Sequence, residues 1–79
     1  MDYGVLAPHS KIIKKELVSG DSFVAFISLH SFKSIYFIRI VEVKGGRGKL
    51  EQNFLEAKSL EEAKDIFERK VLEFRLKSA

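Results

Sequence analysis

The chain has 79 residues, enough for one domain and no more. A chain of this size buries only about 60–65% of the surface that its unfolded form exposes, so we expect a partner or a second copy to add to its stability. Hydrophobic residues make up 46% and charged residues 32%, which excludes wholesale disorder. The absence of cysteine excludes disulfides, thiolate metal sites and cysteine nucleophiles.

Neither a membrane span nor a signal peptide is predicted. The longest apolar run, Phe23 to Ile27, has five residues, far fewer than the ~20 that span a bilayer. The N-terminus has no basic segment followed by a long apolar one. We therefore expect a soluble, cytoplasmic domain without a membrane partner.

The positive charge is concentrated in one loop. The net charge is +3, from 14 Lys and Arg against 11 Asp and Glu. Lys44, Arg47 and Lys49 lie within six residues with no acid among them, whereas the stretch 58–79 carries six cations and five anions. A surface that binds phosphate is therefore expected at the 44–49 loop and not on the C-terminal segment.

The pattern predicts four strands followed by one helix, a single α+β domain over 1–79 with the order ββββα. The predicted strands are 11–18, 22–29, 35–43 and 50–57, rich in β-branched and aromatic residues. Turns are expected at 19–21, 30–34 and 44–49, the last with three glycines. Residues 3–7 are compatible with a further short strand or with an arm.

The helix is predicted to begin after Ser59, since Ser59 and Glu62 have the spacing of a capping box. Asp65–Arg69 and Glu73–Lys77 are expected ion pairs four residues apart. One apolar stripe is predicted to face the sheet: Leu60, Ala63, Phe67, Val71 and Phe74, flanked by Ile66. Leu72 and Leu76 fall on the opposite side and are candidates for a protein interface.

The two central strands are apolar on both faces, and a single helix can cover only one. The second face requires curling of the sheet, a second copy of the chain, or a ligand with flat apolar faces. In the last case an exposed aromatic ring (Phe37, Tyr36 or Phe26, depending on the face) would stack on the ligand, with Arg39 and Lys33 beside it.

The strand FIRIVEVK, the turn GGRGK, a further strand and a closing amphipathic helix resemble the PUR repeat. The related Whirly and PC-type coactivator domains share this ββββα plan. The resemblance covers residues 11–76 and implies a curved sheet that binds single-stranded DNA or RNA, commonly as a dimer. By position it implies contacts from Phe37, Arg39, Lys44, Arg47 and Lys49. Segment 22–29 departs from the PUR pattern because it has no basic residue.

The Gly46-Arg47 pair and the run SLEEAKDIFERKVLEF are similar to the WGR domain. The tryptophan that names that family is missing, because Gly45 stands in its place. This similarity also implies a module linked to nucleic acids.

Enzyme chemistry is not predicted. His9 and His30 are each followed by serine, but no third residue is spaced to orient either ring. The chain contains no HExxH motif or Walker loop, and GGRG lacks the GK[ST] ending that cradles phosphate. We expect no catalytic residue, no metal and no cofactor.

Two functions are compatible with these patterns. The first is a small, sequence-tolerant module for single-stranded nucleic acid that acts as a homodimer. Its predicted contact residues are Lys33, Phe37, Arg39, Lys44, Arg47 and Lys49. The alternative is a protein-interaction module, an accessory or inhibitor protein that uses its sheet edge or its helix on a larger partner.

Overall fold

A computed structural model describes residues 2–45 and 48–78. The chain begins with a short helix and a 3-10 turn, continues through four strands, and ends in a long helix. The bounds are α1 Tyr3–Leu6, the 3-10 turn Ala7–His9, β1 Lys11–Ser19, β2 Phe23–Phe32, β3 Ile35–Lys44, β4 Lys49–Ala57 and α2 Leu60–Ser78. The predicted α+β layout, with four antiparallel strands and a C-terminal helix, is confirmed.

The strands form one antiparallel sheet in the order β1-β2-β3-β4. The predicted turn at 30–34 is too long, because β2 continues to Phe32 and leaves Lys33 and Ser34 to make the turn. Lys33 has a positive φ of 57°, a conformation that few residues other than glycine adopt. A two-residue connection of this kind keeps β2 and β3 in register along their full lengths.

Helix α2 packs on one face of the sheet and forms the main core with it. The buried strand residues on this face include Ala25, Ile27 and Leu29 of β2 and Ile38 and Ile40 of β3. The predicted stripe of α2 meets them, with Ala63, Phe67, Val71 and Phe74 buried. The choice between the two apolar faces, which the sequence left open, is therefore settled by these contacts.

The N-terminus of α2 has the predicted cap. The backbone N–H of Glu62 donates to Oγ of Ser59 at 3.1 Å, which satisfies one of the free donors of the first turn. The predicted ion pair between Asp65 and Arg69 is present at 3.1 Å. The sequence therefore sets the start of this helix through local contacts.

The prediction of an ion pair between Glu73 and Lys77 is wrong. Glu73 accepts from Nζ of Lys70 at 3.1 Å, three residues earlier, and not from Lys77. The Lys77 ammonium lies 5.0 Å from the centroid of the Phe74 ring. An aromatic face attracts a cation and also covers the lysine stem, so Lys77 has a competing partner.

Residues 2–10 form a helical arm, not a further strand. Asp2 caps α1 by accepting from the N–H of Gly4 at 3.0 Å. The arm lies on the sheet face opposite α2, where the ring of Tyr3 is 4.9 Å from that of Phe37 and 6.0 Å from that of Phe54. It therefore covers part of the second apolar face. Over the described ranges, no helix has the length and apolar character needed to cross a bilayer.

Candidate functional site on the open face of the sheet

The face opposite α2, called the open face below, divides into a covered half and an exposed half. The arm covers the half near the β2–β3 turn. In the exposed half two rows of side chains cross all four strands. They are Leu17, Phe26, Val41 and Gln52, followed by Ser19, Val24, Val43 and Leu50.

The exposed half carries large apolar side chains at the centre of the sheet and at both edges. Leu17 is 54% exposed, Phe26 53% and Leu50 62%, and Val24 is exposed beside them. We call Leu17, Val24, Phe26 and Leu50 the apolar patch. A contiguous apolar surface of this kind is typical of an interaction site, in contrast to single scattered apolar residues.

In the covered half, Phe37 is fully buried, with 0% exposure. Its ring stacks on His30 at 4.9 Å with 5° between the planes, and Tyr3 and Phe54 pack around it. The expectation that Phe37 is an exposed stacking ring is wrong in this structure, because the arm lies over it. The exposed aromatic ring of this face is Phe26.

A hydrogen-bonded histidine joins the arm to the sheet. His30 is 2% exposed, and its Nδ1 and Nε2 each lie 2.7 Å from a hydroxyl, those of Ser10 and Ser28 respectively. Oγ of Ser10 donates its proton to the carbonyl of Ala7 at 2.6 Å, so it accepts from Nδ1–H. In the neutral ring Nε2 then accepts from the Ser28 hydroxyl, and every polar atom of the ring has a partner.

The surroundings of His30 favour its neutral form. Burial, and after it the positive charge of Arg39, lowers the pKa of His30 from its ordinary value of 6.5. At the other end of the arm, burial and the nearby Glu56 carboxylate raise the pKa of Tyr3. Both groups are therefore uncharged in the neutral range, as an apolar contact between arm and sheet requires.

The lowered pKa predicts a specific acid sensitivity. The unfolded chain takes up a proton on His30 near its ordinary pKa, whereas the folded chain does so only at lower pH. The contribution of His30 to stability is therefore complete above about pH 6.5 and is lost as the pH falls towards the folded pKa, with a slope of at most about 1.4 kcal/mol per pH unit.

Urea denaturation of the wild type and of His30→Gln from about pH 7.5 to 5 measures this effect. The wild type should lose stability faster than the variant as the pH falls below about 6.5. Parallel curves would contradict the neutral, buried state of His30.

The predicted cations do not come together on one surface. Arg39 lies on the open face, and its Nε donates to Oε1 of Gln52 at 2.9 Å. Lys44 and Lys49 are opposite each other in the register of β3 and β4, on the side of the sheet that faces α2. Nζ of Lys44 lies 3.2 Å from the Glu51 carboxylate. These three positions therefore belong to opposite faces of the sheet.

The remaining predicted contacts are also separate. Lys33 is in the β2–β3 turn, 5.6 Å from the ring centroid of Phe32. This turn is at the other end of β3 from the 44–49 loop, about 30 Å away for a strand of ten residues. Arg47, and with it the Gly46-Arg47 pair of the WGR similarity, lies outside the described residues.

Leu72 and Leu76 are exposed on α2, as predicted. They lie on the helix surface that faces away from the sheet, so they do not join the apolar patch. Within the described residues, exposed leucines therefore lie both on the open face and on the outer side of α2.

Sequence reasoning missed the partners of His30 and one cation of the open face. Ser28 and His30 are two apart on a strand and so share a face, a relation that the period of two could have revealed. Ser10 gives no such signal, because its approach depends on the docking of the arm. Lys15 lies beside Ser28 in the register, and its exposed side chain was overlooked because predicted strand 11–18 contains several lysines.

Comparison of the chain with protein-family models, curated proteins and solved structures gives no match. The similarities to the PUR repeat and to the WGR domain therefore stay predictions. Within 2–45 and 48–78, no three Asp, Glu or His side chains are grouped closely enough to hold a metal ion.

Proposed function

We propose that this chain is a protein-interaction module that associates with a second copy of itself through the apolar patch. The observation that supports the proposal is the exposure of Leu17, Phe26 and Leu50 on the open face, of which the short arm covers only one half. Two sheets that pack face to face remove such side chains from water on both sides.

The shape of the open face favours a second copy. The arm stands at one end of the face and the apolar patch lies at the other, so the surface has a step. Packed sheets are about 10 Å apart, close to the thickness of a helix with its side chains. A two-fold axis that is parallel to the sheet and perpendicular to the strands places the apolar patch of one copy on that of the other. The same axis places the arm of each copy beyond the end of the other copy's sheet. The step is therefore complementary to itself, as a two-fold interface requires.

The interface is small, which sets the expected strength. Four strands about 4.8 Å apart form a face only about 19 Å wide, part of which the arm occupies. The exposed half of this face is therefore expected to bury less than the ~800 Å² per partner of a standard interface. We therefore expect a reversible dimer with a Kd of the order of micromolar or weaker.

Phe26→Asp tests the proposal. Because the substitution places a charge at the centre of the apolar patch, it should weaken dimerisation by more than about tenfold. The Phe26 side chain is exposed, so we expect the variant to keep the fold. Sedimentation equilibrium over a range of concentrations gives the Kd. Leu72→Asp is the matched control, since it makes the same kind of change on the exposed side of α2. A wild type that stays monomeric at the highest concentration, or an equal loss in Leu72→Asp, would argue against the patch.

A second candidate function is binding of single-stranded nucleic acid, favoured by one local arrangement. The exposed ring of Phe26 lies one row from Lys15 and Arg39 on the open face. A base could stack on the ring while the cations contact phosphates. Binding of a labelled oligothymidine that weakens steeply with salt would support this function. Dimerisation through the apolar patch should instead persist at high salt, and absence of oligonucleotide binding at low salt would reject the candidate.

A further inference from the structure

The arm and the sheet form a cleft whose lining contains none of the four residues of the apolar patch. It has a volume of about 320 Å³ and lies between arm residues 4, 7 and 8 and strands β1 to β4. Its polar wall contains Ser10, His30, Arg39 and Gln52, and Phe54 and Ile12 form much of its apolar wall. The volume is at the lower end of the range for small-molecule sites, ~300–1,000 Å³.

Among the described residues, Arg39 is the one charged side chain that lines this cleft. None of the ion pairs within the described residues involves it. Its Nε donates to Gln52, which orients the guanidinium and leaves the two Nη groups as further donors. The Arg39 charge therefore lies half-buried in a cleft without a carboxylate to balance it.

The charge of the cleft limits the ligand that fits. His30 is neutral, and both its ring nitrogens are already hydrogen-bonded to Ser10 and Ser28. The cleft thus offers one positive charge, which suits a monoanion better than a phosphate dianion. A guanidinium edge matches a carboxylate in a two-bond geometry, and the Phe54 ring offers a flat apolar wall.

We propose that this cleft binds a small organic monocarboxylate with a flat apolar body, its carboxylate on Arg39 and its body against Phe54. The cleft is formed within one chain, so the inference does not depend on the dimer. The carboxylate could belong to a free acid or to the C-terminus of a short peptide, and the two are distinguished by experiment.

Benzoate is a suitable probe, and benzamide is its neutral counterpart of nearly the same shape. In a ¹⁵N NMR titration, benzoate should produce saturable shifts of the Arg39 Nε–H and His30 ring signals, whereas benzamide at equal concentration should not. Bound benzoate should also raise the pKa of His30, because it offsets the charge of Arg39. N-acetyl-glycyl-phenylalanine distinguishes the peptide source, for which tighter binding than benzoate is expected.

Variants identify the site. Arg39→Gln should weaken benzoate binding at least tenfold, whereas Lys15→Gln, which removes a charge from the same face outside the cleft, should leave it unchanged. The Phe26→Asp variant should bind benzoate as the wild type does, which separates this inference from the proposed dimer. Equal shifts with benzamide, wild-type affinity in Arg39→Gln, or tighter binding of inorganic phosphate or oligothymidine than of benzoate would overturn the proposal.

Discussion

Replacement of Phe37 by alanine is expected to lower the free energy of unfolding by about 3–5 kcal/mol. The ring is fully buried between His30, Tyr3 and Phe54, so its removal leaves a cavity and loosens the arm. A small domain has only about 5–15 kcal/mol of stability in total. The variant should therefore unfold at much lower urea concentration than the wild type, as followed by circular dichroism.

Phe26→Ala is the matched control, because Phe26 is the same residue type on the same face of the neighbouring strand. Since its ring is half exposed, we expect a loss below about 1 kcal/mol. This pair separates a packing role from a binding role. If Phe37→Ala were as stable as Phe26→Ala, the buried position of Phe37 and the docking of the arm would both be wrong.

The second large effect is expected on the other side of the sheet. Phe67 is buried at the middle of the α2 stripe, against the core residues of the sheet. Phe67→Ala should cost about 3–5 kcal/mol, because the cavity lies where helix and sheet meet. Thermal denaturation, followed by circular dichroism at a wavelength that reports helix content, measures this loss of stability.

Leu72→Ala provides the comparison within the same helix. Its side chain is exposed away from the sheet, so we expect a change within about 0.5 kcal/mol. A large loss at Leu72 together with a small loss at Phe67 would mean that α2 packs with the opposite face.

The fold was predictable because its signals are local. The period of two in β2 and β3 and the spacing of three and four along α2 determine which side chains share a face. The Ser59 cap marks where α2 begins, and Gly45 and Gly48, both with positive φ, lie just beyond the end of β3 and just before the start of β4. Each of these signals needs only a few neighbouring residues, so a single sequence contains them.

The covering of the open face was not predictable in the same way. Helix α1 has four residues, too few to be stable without tertiary contacts. Its position depends on Tyr3 reaching Phe37, a contact between residues distant in the chain. No local pattern indicates such a contact, and the buried state of Phe37 and His30 follows from it.

The scattering of the predicted nucleic-acid contacts has a simpler cause. Arg39 and Lys44 lie on the same strand at positions of opposite parity, so they point to opposite faces. The prediction that these two residues act together rested on their closeness in the sequence. Strand parity separates the two positions, and the structure adds that Lys44 is paired with Glu51.

Binding of a second copy at the apolar patch can be measured residue by residue in a methyl NMR dilution series of the wild type. On concentration, the methyl signals of Leu17, Val24 and Leu50 should shift together along one binding curve, and those of Leu72 and Leu76 should stay in place. Shifts confined to the leucines of α2, or no concentration dependence at the patch, would mean that a second copy does not bind there.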